Sequence, residues 1–128
     1  MKRLSAILIA LVLLAVFSGG ACIAAEAQTV MVPMRDGTKL ATDVYLPDGD
    51  GPWPAILVRT PYSRKRPGGF GVQANERGYV FVSQDFRGRF DSEGEDWPVF
   101  VHGGWGEHQD GYDTVESIVS CINTRDFN

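Results

Sequence analysis

Few residues in this 128-residue chain have the type and spacing that bond-breaking chemistry needs. The first candidate is Tyr62, at the end of the run "AILVRTPYSR". Four apolar residues, Ala55 to Val58, lead there into a charge, a proline and a phenol. Pro61 has no backbone N–H to offer. Tyr62 offers a phenolic O–H, a neutral donor that could stabilise an oxyanion. On spacing alone, a packing or surface tyrosine after a turn-forming proline is the commoner case. Arg59 reads as half of a salt bridge at a strand's end.

The other polar groups carry weaker signals. Asp85, Asp91, Glu93, Glu95 and Asp96 bring together charge and oxygen that suit Ca²⁺, but their spacing is not that of an EF-hand. An exposed loop, with Arg87 and Arg89 paired to carboxylates, is expected instead. His102 and His108 lack the H-E-x-x-H spacing of a zinc helix and read as solvent-facing loop residues. "GGFGV" lacks the Gly-Lys-Ser/Thr ending of a phosphate loop. Ser63, Ser83 and Ser92 have no G-x-S-x-G context. Trp97 and Trp105 sit in a glycine-rich loop, where they could line a pocket or pack the loop. No metal and no cofactor is expected.

Regular elements must hold Tyr62 in place. Val30, Val32 and Met34 alternate as in a half-buried strand. Asp36-Gly37 marks a tight turn. Leu40, Thr42, Val44 and Leu46 then share a face of a second strand, which completes a hairpin. "PDGDGPWP" is loop by composition. Ala55 to Arg59 is a third strand, and its unbroken apolar run predicts cover on both faces. "GGFGVQANERG" predicts a short helix closed by Gly78. "YVFVSQ" is a fourth strand, followed by a polar loop from Asp85 to about Glu107. Tyr112, Val115, Ile118, Val119 and Ile122 fall at helical spacing. Asp110 could cap that helix, and Asp113 would favour its positive end. Hairpin, strand, helix, strand, helix argues for an α/β sheet, with ligands beyond the carboxyl ends of its strands.

Ahead of these elements, Lys2 and Arg3 precede an apolar stretch from Leu4 to Phe17, then Gly19 and Gly20. This is the layout of a secretory signal peptide, with Ala25-Glu26-Ala27 as its small-x-small site. Cleavage is expected after Ala27, with Ala24 and Ala25 as alternatives. The apolar run is shorter than the roughly 20 residues that span a bilayer, so no stable anchor is expected. A lipoprotein at Cys22 is the weaker alternative, because Gly19-Gly20-Ala21 lacks the usual bulky aliphatic. Residues 1–27 are thus expected to be a leader and residues 28–128 one partial domain, exported to the periplasm or beyond. Losing Lys2, Arg3 and Glu26 leaves 10 basic and 15 acidic residues, a net charge of −5. Such a balance excludes a nucleic-acid grip. Only Cys121 remains, so no disulfide can form within the chain.

Four segments, "VPMRDGTKLATDVYLP", "PAILVRTPYSR", "ANERGYVFVSQDFRGRFDSEGE" and "DGYDTVESI", together resemble the start of the X-Pro dipeptidyl-peptidase and cocaine-esterase family of serine hydrolases. "RTPY" and "QDFRGRFDSEG" are the specific parts. The resemblance implies the N-terminal part of an α/β-hydrolase fold. It also implies metal-free hydrolysis of a small peptide, ester or amide. In that family the tyrosine after the third strand lends its hydroxyl to the oxyanion hole, and the matching residue is Tyr62.

Two departures stand out. The family continues from the "DGYDTVE" helix into a strand and a glycine-flanked nucleophile serine, with Asp and His partners later still. No G-x-S-x-G occurs in this sequence, so nucleophile, acid and base are all expected to be missing and the chain to be inactive alone. After Ser117 the likeness fades, as in an N-terminal fragment or an early-ended reading frame. A small exported binding or structural module without catalysis is the alternative.

Overall fold

The computed structural model describes residues 26–98, 101 and 107–124. Residues 1–25 of the expected leader, with Cys22, and His102 and Trp105 lie outside the described residues, whereas Ala27 at the leader's end packs against Tyr45, Ala74 and Phe81. Six elements follow in chain order: β1 (Gln28–Pro33), β2 (Lys39–Tyr45), β3 (Ala55–Thr60), α1 (Gly68–Glu76), β4 (Val80–Asp85) and α2 (Asp110–Thr124). This is the expected succession.

The hairpin closes at Arg35-Asp36-Gly37. Gly37 takes φ +86°, which its lack of a Cβ permits. The Asp36 carboxylate accepts the Thr38 N–H at 3.0 Å. The sheet order is β1-β2-β4-β3. β2 pairs antiparallel with both β1 and β4, while β3 and β4 run parallel, joined by the α1 crossover.

The two helices cover opposite faces, and the period-2 alternation of β4 assigns its side chains between them. Val80 and Val82 pack with Val44 and Ile118 of α2. Phe81 packs with Tyr45 and Ala74 of α1. Gly71 lets α1 approach, since a Cβ there would lie 2.7 Å from the Tyr45 ring.

Two expectations need correction. β3 is covered on both faces only in part: Leu57 packs toward the Val44, Val82 and Ile118 cluster and Val58 toward Tyr45 and Phe81, each half-buried. Among the described residues it pairs only with β4, and Ile56 is 41% exposed. The strand buried at every position is β4, which lies between β2 and β3. Both runs are apolar, and only the pairing order decides which is central.

The five apolar positions of α2 do not form one buried stripe either. Ile118 is buried and Ile122 half-buried, but Tyr112, Val115 and Val119 are exposed. The inward stripe begins with polar Asp110 and Thr114, both buried, and continues to Ile118. The first turn of α2 faces hydrogen-bonding groups at the strand ends, so polar side chains are stable there.

Candidate active site

The turn after β3 is fixed from both ends. Thr60 ends the strand and pairs in register with Asp85, the last residue of β4. The Thr60 Oγ1 accepts the Tyr62 N–H at 3.0 Å. Ser63 then takes φ +85°, a strained conformation for a residue with a Cβ. Arg64 turns back under the sheet and is only 4% exposed. Its backbone N–H donates to Asp85 Oδ1 and its Nη1 to Asp85 Oδ2, both at 2.6 Å. Its Nε donates to Asp43 Oδ1 at 2.8 Å, and Nη1 also reaches Asp91 Oδ2 at 2.7 Å. Tyr62, two residues before Arg64, has 67% of its surface exposed.

Burial opposes the charge on Arg64, but its bonds to Asp43, Asp91 and Asp85 outweigh that cost and raise its affinity for the proton. The same guanidinium holds the Asp91 carboxyl below its ordinary value. Arg64 therefore supplies the positive charge that Asp43, Asp85 and Asp91 share.

A second buried arginine ties the hairpin to α2. Arg87 donates to Asp110 through Nε at 3.0 Å and Nη2 at 2.6 Å. It also donates to Asp36 Oδ2 and Thr38 Oγ1, each at 2.7 Å. These bonds, led by Asp110, raise the Arg87 pKa. The Arg87 hydrogen bond pulls the Asp36 carboxyl down to about 2. Arg35 and Asp113 add a half-exposed pair at 2.7 Å between the hairpin turn and the first turn of α2.

Gln84 of β4 is fully buried near the same strand ends. Its Nε2 donates to Thr42 Oγ1 at 3.0 Å, and its Oε1 accepts from Arg59 Nε and Thr114 Oγ1, each at 2.8 Å. Arg59 stacks 5.2 Å from the Phe86 ring centroid and lies 3.9 Å from Asp110, the expected salt bridge at the sheet's end. Burial lowers the Arg59 pKa.

The structure thus brings the "RTPYSR" and "QDFRGRFDSEG" segments together at the carboxyl ends of β3 and β4. The acidic loop is not uniformly exposed, as its sequence suggested. Asp85 and Arg87 are buried, and the partners of Arg87 are Asp36 and Asp110 rather than loop neighbours. Arg89 does pair within the loop, with Asp96 at 2.7 Å. His108 is half-buried rather than solvent-facing, edge-on to the Trp97 ring at 4.3 Å. Trp97 therefore packs the loop. An apolar cleft of about 400 Å³ runs between β3 and α1, past Val58, Phe70 and Phe81, and Tyr62 does not line it.

Arg64, Asp43, Gln84 and Thr114 were not singled out from the sequence. The available signal was polar residues inside strand patterns: Asp43 in "KLATDVY" and Gln84-Asp85 in "VFVSQD". Such groups persist inside a sheet only when paired.

Comparison with known proteins agrees with this arrangement. A family model described as X-Pro dipeptidyl-peptidase (S15 family) matches residues 36–120. Cocaine esterase from Rhodococcus sp. (strain MB1 Bresler) is 49% identical over 75 residues, which cover 54% of this chain and 13% of that esterase. An aminopeptidase from a marine sediment Thaumarchaeota archaeon superposes with a TM-score of 0.60 at 29% identity, over 73% of this chain and 18% of its own. An α-amino acid ester hydrolase gives 0.60 at 30% identity, over 80% and 20%. This chain therefore spans a fifth or less of the length of these relatives. The architecture is the N-terminal part of an α/β-hydrolase fold. With the matched region running from the hairpin turn into α2, the chain belongs to the X-Pro dipeptidyl-peptidase (S15) family.

Proposed function

We propose that residues 28–128 form the oxyanion-stabilising wall of a serine hydrolase that cleaves a small peptide, ester or amide through an acyl-enzyme. The observation that carries this reading is the exposed Tyr62 on a turn anchored at both ends, directly beyond β3. When a serine oxygen attacks the substrate carbonyl carbon, the C=O π electrons move onto oxygen. A preorganised O–H donor then stabilises that charge more than it stabilises the planar ground state. The serine, its base and its acid come from sequence other than these 128 residues, which hold no G-x-S-x-G.

Export belongs to the same proposal. Cleavage after Ala27 would leave β1 whole, since the strand begins at Gln28.

A chimaera tests the division of labour. The matching segment of a family esterase is replaced by this one. The hybrid should hydrolyse a p-nitrophenyl ester and take up a fluorophosphonate on the esterase's own serine. Residues 28–128 alone should do neither. Stoichiometric labelling of a serine within 28–128 would refute the reading.

A further inference from the structure

We propose that Arg64 is a positioning residue for the Tyr62 hydroxyl, acting through the turn rather than on the substrate. The proposal rests on the oxyanion reading of Tyr62. Three observations carry it. Ser63, between the two residues, holds φ +85° without being glycine. Such strain persists only where the surroundings over-determine the backbone. Arg64 supplies that constraint on the C-terminal side, with both its backbone N–H and its guanidinium on the one carboxylate of Asp85. Thr60 Oγ1 supplies it on the N-terminal side. Finally, Thr60 and Asp85 are register partners, so both anchors sit on the last rung of the β3/β4 ladder.

Tyr62 is therefore a largely exposed side chain on a backbone that is pinned two residues to either side. An oxyanion donor must reach about 2.7–3.1 Å from where the charge develops, so a loose turn would lose the contact even with the phenol intact. The planar fork of Arg64 matches Asp85, Asp43 and Asp91 at once. A lysine keeps the charge but cannot reproduce that geometry.

The test is a double-mutant cycle in the chimaera. Arg64→Lys should lower kcat by about tenfold with KM changed less than about twofold, and should add less than about twofold in the Tyr62→Phe background. An equal loss in both backgrounds would mean that Arg64 acts independently of the hydroxyl, and would overturn the proposal. Hydrogen exchange in the chain itself judges the turn without any activity. Arg64→Lys should speed the amides of Tyr62 and of residue 64, which donate to Thr60 Oγ1 and Asp85 Oδ1, at least about tenfold, and the Val82 and Ser83 amides less than about threefold. Uniform acceleration, or none at the turn, would also overturn it. Should Tyr62→Phe alone leave kcat unchanged, the oxyanion reading fails, while the exchange data still decide whether Arg64 holds the turn.

Discussion

Arg64 and Asp85 are joined twice, backbone N–H to Oδ1 and guanidinium Nη1 to Oδ2, each at 2.6 Å. Neither side chain has appreciable contact with water. A buried pair of this kind is a weak source of net stability, but its halves cannot be separated cheaply. Asp85→Ala leaves a buried guanidinium short of a partner and should destabilise the fold by about 3–5 kcal/mol. Urea unfolding of wild type and variant measures this, and a loss under about 1 kcal/mol would contradict the pairing.

The Arg87–Asp36 bond sets a pH dependence. Asp36 titrates at about 2 in the fold against an ordinary 3.8, because Arg87 donates to it. The folded state then binds fewer protons than the unfolded state across that interval. The contribution to stability is present above about pH 4 and is lost as pH falls toward 2. Asp36→Asn should lower stability at neutral pH and flatten its decline between these values. A variant with an acid limb as steep as that of wild type would contradict the assignment.

Gly71 sets two local effects against each other. Alanine would favour α1 by about 1 kcal/mol through helix propensity. Its Cβ would also meet the buried Tyr45 ring at 2.7 Å. Overpacking of this kind costs about 1–3 kcal/mol, and the rigid ring can yield little. Gly71→Ala should therefore destabilise on balance, as read by thermal unfolding. An unchanged or higher Tm would show that α1 can move off the sheet.

Processing can be read directly. N-terminal sequencing of chain recovered from the cell envelope should begin near Gln28. Intact Met1 on cytoplasmic material would count against export.

What the sequence revealed follows from where hydrophobic periodicity carries information. The hairpin, the strand–helix–strand unit and the last helix each have an apolar repeat or a glycine stop, and each is present. The rank of β3 and β4 was not legible, since "AILVRT" and "VFVSQD" are alike in pattern and pairing order is a non-local property. The inward face of α2 is not legible from an apolar count, which passes over the buried Asp110 and Thr114. Tyr62 stands out as a candidate through Pro61 and the family motif. Arg64 was not, because its three carboxylates come from β2, β4 and the following loop, and no local spacing joins them.

The most direct test of the account is kcat for Tyr62→Phe in the active chimaera. The substitution removes one hydroxyl from an exposed ring and leaves the Thr60 and Arg64 anchors in place. Loss of an oxyanion donor should lower kcat by about 10²–10³, with Tm unchanged and KM little altered. A fall of less than about threefold, with the enzyme folded, would assign Tyr62 to packing and contradict the central claim.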